Sequence, residues 1–213
     1  YAQRPDATAC AEYDLWNNRM GRYVRRGSKG IALVDDSGDR PRLRYVFDIS
    51  DTNSFGNSEI NLWQYDNRYE KAVINTLEKS FGKLKGATTD IDAIICAANN
   101  AVNDRKNEYL RDLKYVKGNS FLSGLDNVNL DVRFRQTAAA SVAYMIMQRM
   151  GLHPENNFDG YDFQYIRDFN TVETMNILGN AVSTISEDIL RNISRTIHFE
   201  RKKFAENENI VYN

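Results

Sequence analysis

Cysteine, histidine and proline are scarce in this chain: two, two and three among 213 residues. Cys10 and Cys96 lie far apart among small or apolar neighbours, so no disulfide framework is expected and a reducing compartment, the cytoplasm, is the simpler setting. His153 and His198 are also far apart, with no ligand set at zinc spacing beside either. The sequence contains no HExxH, GxSxG or GxxxxGK[ST] pattern, so the helix of a zinc peptidase, a nucleophile elbow and a phosphate-binding P-loop are all missing. No apolar run approaches the ~20 residues that span a bilayer, and no signal peptide is legible. The net charge is only −1, so attraction for a polyanion has to come from a local patch. The expectation is a non-enzymatic chain with no cofactor, no metal and no membrane partner. It begins at Tyr1, without Met, and reads as a piece of a longer protein.

What is present is a concentrated basic run. Arg19, Arg22, Arg25, Arg26 and Lys29 occur with no acid between them, and Trp16 and Tyr23 lie beside and within the run. Cations next to exposed rings suit single-stranded nucleic acid, which offers phosphates and unstacked bases. Gly27 and Gly30 flank Ser28 and Lys29, a turn whose backbone amides can approach a phosphate. Residue types alone leave a second reading open, a solvated basic face with Trp16 in the core. A helix is expected from Asp6 or Thr8 to about Met20, ended by Gly21. Ile31 to Val34 reads as a strand and Asp35 to Asp39 as a hairpin loop. Leu43, Tyr45, Phe47 and Ile49 then alternate with Arg42, Arg44, Val46 and Asp48, so Arg42 and Arg44 fall on the open face of a half-buried strand. Those two arginines either extend the basic patch or solvate an edge strand.

The polar connector 51–66 holds Trp63 and Tyr65, and beyond it the period changes to that of helices. One helix is expected over Tyr69 to Phe81 and a second from a Thr89 or Asp90 cap to about Val116. A third is expected over Asp131 to Met150, with Phe134, Ala138, Val142, Met145 and Met147 or Met150 inward. Phe158 to Phe169 suggests a short helix. The last, from about Thr171 to Phe204, carries the stripe Leu178, Val182, Ile185, Ile189, Ile193 and Ile197 for packing in a bundle. The fold class is therefore α+β: an N-terminal helix with a β-hairpin or small antiparallel sheet over 1–66, and a mainly helical domain over 67–213.

The stretch YAQRPDATACAEYDLWNNRMGRYVRRGSKGIALV resembles the N-terminal segment of ArdC-type antirestriction proteins. It is closer still to the matching segment of large helicase or methylase proteins carried by conjugative elements of Gram-positive bacteria. The likeness rests on Gln3 to Pro5, Trp16, Gly21-Arg22, Val24, Gly27 and Lys29-Gly30, within about the first 50 residues. It implies a single-stranded-DNA-binding module, with Trp16, Arg19, Arg22, Tyr23, Arg25, Arg26, Ser28, Lys29, Arg42 and Arg44 as contact residues. A weaker likeness links Ala138 to Tyr144, Gly151-Leu152 and Tyr161 to Ile166 to the zinc-peptidase-like domain of that family. Ala138 to Ala140 stand where the family helix carries an acid, and no HExxH helix remains, so the resemblance implies a zincin-like scaffold that has lost its metal. The alternative function is an antirestriction or defence-blocking protein that acts on host restriction or defence proteins, marked by an exposed apolar patch away from the basic turn. A metallopeptidase with atypical ligands is a third possibility.

Overall fold

A computed structural model describes residues 3, 4, 6–35, 40, 42–54, 56 and 63–211, the side chains of 206–211 excepted. The chain divides into two compact units, Tyr1–Leu62 and Trp63–Asn213. The architecture is α+β, with small antiparallel sheets in the first unit and helices in the second.

In the first unit β1 (Cys10–Glu12) leads into a short helix, α1 (Tyr13–Asn18). The strands β2 (Arg22–Val24), β3 (Ile31–Asp35), β4 (Arg42–Asp48) and β5 (Thr52–Ser54) follow. One antiparallel sheet has the order β1-β4-β3, and β2 pairs with β5 in a second. The helix expected from Asp6 or Thr8 is therefore shorter, and a strand precedes it. Its cause lies 40 residues downstream in the buried carboxylate of Asp48, whose Oδ2 accepts from Thr8 N at 2.6 Å and Ala9 N at 2.9 Å. Those amides are held in extended chain, and Cys10–Glu12 pairs with Val46–Asp48. Gly21 takes φ +60° just after the helix.

Trp16 is 3% exposed and donates from Nε1 to Phe47 O at 2.8 Å. Among the described residues of this unit no other large apolar side chain is buried, whereas Asp35, Asp48, Asp51 and Thr52 are. This unit is thus held largely by hydrogen bonds and one indole. The half-buried β4 expected from its alternation is corrected: Leu43 is 58% and Tyr45 51% exposed. Their face meets only β3 and the edge of Tyr13 on Phe47, with no further layer over it among the described residues of the unit. The expected hairpin loop 35–39 falls mostly outside the described residues.

The second unit contains α2 (Glu70–Phe81), α3 (Asp90–Val116), α4 (Asn127–Met150) and α5 (Val172–Val211). A capping box opens α3: Thr89 Oγ1 accepts from Asp92 N at 3.1 Å and Asp92 Oδ2 accepts from Thr89 N at 3.2 Å. Asp126 caps α4, accepting from Asn129 N at 2.8 Å, which starts that helix ahead of the expected Asp131. Gly151, at φ +75°, ends it. The contacts Thr76 to Thr196 and Ser80 to Asn192 set α2 antiparallel to α5. The α5 stripe from Leu178 to Ile197 is buried against Leu77, Ile94, Leu113, Phe134 and Ile146. Each such side chain contributes about 1.5–3 kcal/mol when fully buried. Met145, expected inward, is 45% exposed. Instead of a helix over Phe158 to Phe169 there are turns and one 3-10 turn at Ile166–Asp168, tied back to α4 by the Arg133–Asp168 ion pair and by Phe158 and Phe163 on Tyr144.

Candidate functional site

The basic run folds as a corner between β2 and β3. Arg25 N donates to Asp51 O at 2.9 Å, and Ser28 N donates to Arg25 O at 3.1 Å, closing a four-residue turn, Arg25 to Ser28. Gly27, third in that turn, takes φ +87°, the conformation that a type II turn needs there. Arg26 sits at the apex. The turn is fastened by its own side chains: Arg25 Nη2 donates to Ser50 O at 2.6 Å and Ser28 Oγ donates to Asp51 O at 3.3 Å. Arg22, on β2, donates from Nε to Thr52 Oγ1 at 2.6 Å and from Nη2 to Thr52 O at 3.1 Å.

Behind the turn stands the carboxylate that organises the unit. Asp48 accepts from Thr8 N, Ala9 N and, at 2.9 Å, Ser50 N. Burial alone would raise its pKa, but these donors outweigh it and hold the carboxyl well below the usual range. Asp51, the neighbour of Ser50, meets Arg4 Nη1 at 2.5 Å, and that hydrogen bond is the main reason the guanidinium is raised above its ordinary value. The strand end that carries the turn is therefore rigid, with its nearby acids already engaged.

The expected contact residues separate into groups. Arg19, Arg25, Arg26 and Lys29 are exposed, and among the described residues no carboxylate lies within ion-pair distance of them. Arg22 and Ser28 face the same corner, but their polar atoms brace backbone and hydroxyl groups. Tyr23 is 37% exposed on β2, with Asn53 Nδ2 at 3.5 Å from its hydroxyl. Trp16 is corrected: as a buried ring with its N–H bound to Phe47, it offers no stacking face. Arg42 and Arg44 are corrected too. Arg42 pairs with Asp35 at 2.9 Å, and Arg44 pairs with Glu12. Ile31 stands opposite Val46 and Asp35 opposite Arg42, so Arg42 lies four strand positions, roughly 14 Å, from the Ile31 end of the hairpin, the end that follows the basic turn. The sequence carried no sign of those ion pairs, because neither Glu12 nor Asp35 is a local neighbour of both arginines. It also gave no sign of Asp48 and Ser50, which shape the corner from across the sheet.

In the second unit, Ala139 and Ala140 line a cavity of about 210 Å³ with Asn99, Gln136, Tyr161 and Asp162. Amides, a phenol and one carboxylate are a poor donor set for zinc, and no group of three or more His, Cys, Asp or Glu side chains suited to a metal occurs among the described residues. These residues do not fit the zinc of the peptidase-like domain to which the weaker resemblance points. Among the described residues no helix is long and apolar enough to cross a membrane. Comparison with protein-family models, with curated proteins and with solved structures returned no match.

Proposed function

We propose that the first unit is a non-catalytic DNA-binding module, directed to single strands, of a cytoplasmic antirestriction or helicase-type protein of a mobile element, and that the second unit is a zincin-like scaffold without a metal. The observation that carries this reading is the Arg25–Lys29 corner: a glycine-bent turn, fastened to its sheet, whose exposed cations have no carboxylate partner among the described residues. A held turn loses little freedom on meeting a phosphate backbone, and Tyr23 on the adjoining strand supplies a partly exposed ring. The resemblance of the first 34 residues to the ArdC-type segment supports the single-strand preference and the mobile-element setting.

Arg26 and Lys29 make the cleanest test, because no described protein group depends on their side chains. The double variant Arg26→Ala/Lys29→Ala should keep its fold and bind single-stranded DNA more weakly. Its log–log salt slope should be shallower by about 1.4, at about 0.7 per lost phosphate contact. An unchanged affinity and slope would make the corner ordinary surface.

A second reading, contact with a host restriction or defence protein, is favoured by the apolar face of the hairpin. Val34 is 71%, Leu43 58% and Tyr45 51% exposed on one side of β3 and β4, with no charged side chain among them. Capture of such a protein that survives nuclease treatment, and is lost in Leu43→Ser, would favour it over nucleic-acid binding.

A further inference from the structure

In the three-stranded sheet β3 is an outer strand, paired only with β4 among the described residues. Alternate residues of an antiparallel strand turn their N–H and C=O groups to opposite edges. Ala32 turns both outward, and both meet the side-chain amide of Gln3. Nε2 donates to Ala32 O at 2.8 Å, and Ala32 N donates to Oε1 at 2.9 Å. By parity, Val34 turns its N–H and C=O to the same edge. The bonds from Gln3 are the pair that one residue of a neighbouring strand would supply. The edge thus already holds a stand-in for a peptide group, at one position among the described residues. Exposed edges of this kind pair with further strands unless they are blocked.

We infer that the occupant of this edge is β3 of a second copy of the chain, laid antiparallel with Leu33 against the partner's Leu33. The register is self-complementary: Ala32 pairs with the partner's Val34, and Val34 with the partner's Ala32, each pair exchanging both backbone hydrogen bonds. Small meets large across each pair, and the two apolar faces join into one that includes Leu43 and Tyr45. Symmetry selects the direction. A two-fold axis through Leu33 pairs the two edges antiparallel, so that the outward N–H and C=O groups of Ala32 and Val34 meet those of the partner's Val34 and Ala32, whereas parallel, in-register pairing would set like backbone groups opposite each other. Leu33, 45% exposed, meets its copy at a non-hydrogen-bonded position, where side chains approach most closely. This inference does not rest on the nucleic-acid reading.

Sedimentation equilibrium of the full chain over a concentration series tests it. The wild type should show a monomer–dimer equilibrium. Gln3→Ala removes the intramolecular competitor from both copies and should tighten it roughly thirtyfold, the value of four weak hydrogen bonds, two on each copy. Val34→Lys should weaken it at least about tenfold by setting a charge on each edge, with an unchanged circular dichroism spectrum because Val34 is exposed. In a Cys10→Ser/Cys96→Ser background, Leu33→Cys should cross-link copies under mild oxidant and Val34→Cys should not. Wild type and Gln3→Ala both monomeric at the highest concentration would overturn the inference. So would a dimer indifferent to Val34→Lys, or cross-linking at 34 in place of 33. A monomeric Gln3→Ala variant that captures a host protein through this hairpin would also overturn it, assigning the surface to that protein.

Discussion

Asp48 gathers on one buried carboxylate the amides of Thr8, Ala9 and Ser50, and so joins the 8–9 and 48–50 segments of a unit with little apolar core. An amide in its place would turn a donor toward one of those N–H groups. Asp48→Asn should therefore cost the first unit roughly 2–3 kcal/mol, the value of charge-assisted bonds, read as a lower urea midpoint. Because the folded pKa is depressed, the stabilisation is complete above the unfolded value near pH 4 and is lost progressively as pH falls below it. Acid titration followed by Trp16 fluorescence should show that loss in the wild type, and a flatter profile in Asp48→Asn. At this scale the sequence was least informative. Trp16 reads equally well as a stacking face or a core residue, and Arg42 and Arg44 as free or paired, until the strands place Phe47, Asp35 and Glu12 beside them.

At the scale of elements, the Arg25–Ser28 turn and the helix ends obey local rules. Nothing lies within 4 Å of where a side chain at Gly27 would begin, so its requirement is conformational, at φ +87°. Gly27→Ala should cost about 1–2 kcal/mol through the left-handed backbone alone, and weaken DNA binding along with the turn, read by thermal melting and a binding titration. Gly30 differs: a Cβ there would stand 3.1 Å from Tyr45 Cβ and 3.2 Å from Phe47 Cζ, so its requirement is space. The helix signals at Thr89, Gly82 and Gly151, and the α5 stripe, were legible because capping and a 3.6-residue period are properties of a short window. The helix expected from Asp6 or Thr8 to about Met20 was legible only in part, since Cys10–Glu12 is a strand and Tyr13–Asn18 the helix. Its first turn competes with strand pairing to β4, and Asp48 decides that competition from the far end of the sheet.

For the molecule as a whole, the contrast between the units governs stability. The first relies on one buried indole and a polar network, the second on a continuous core running from Tyr69 to Ile197. In a Trp63→Phe background, Trp16 fluorescence should shift at lower urea than the helical circular dichroism signal is lost; coincident transitions would show that the units unfold as one. Composition and periodicity by themselves determined the α+β class, the helical character of the larger part, the apolar stripe of its longest helix and the basic glycine-bent run, since each depends on residues near one another in sequence. Tertiary structure alone decided which cations remain exposed and unpaired by acids, which ring is buried, and which edge of the hairpin stays open. Those outcomes depend on pairing between residues 7 to 40 positions apart, and a hydrogen bond or ion pair acts over distances in space that chain order does not record.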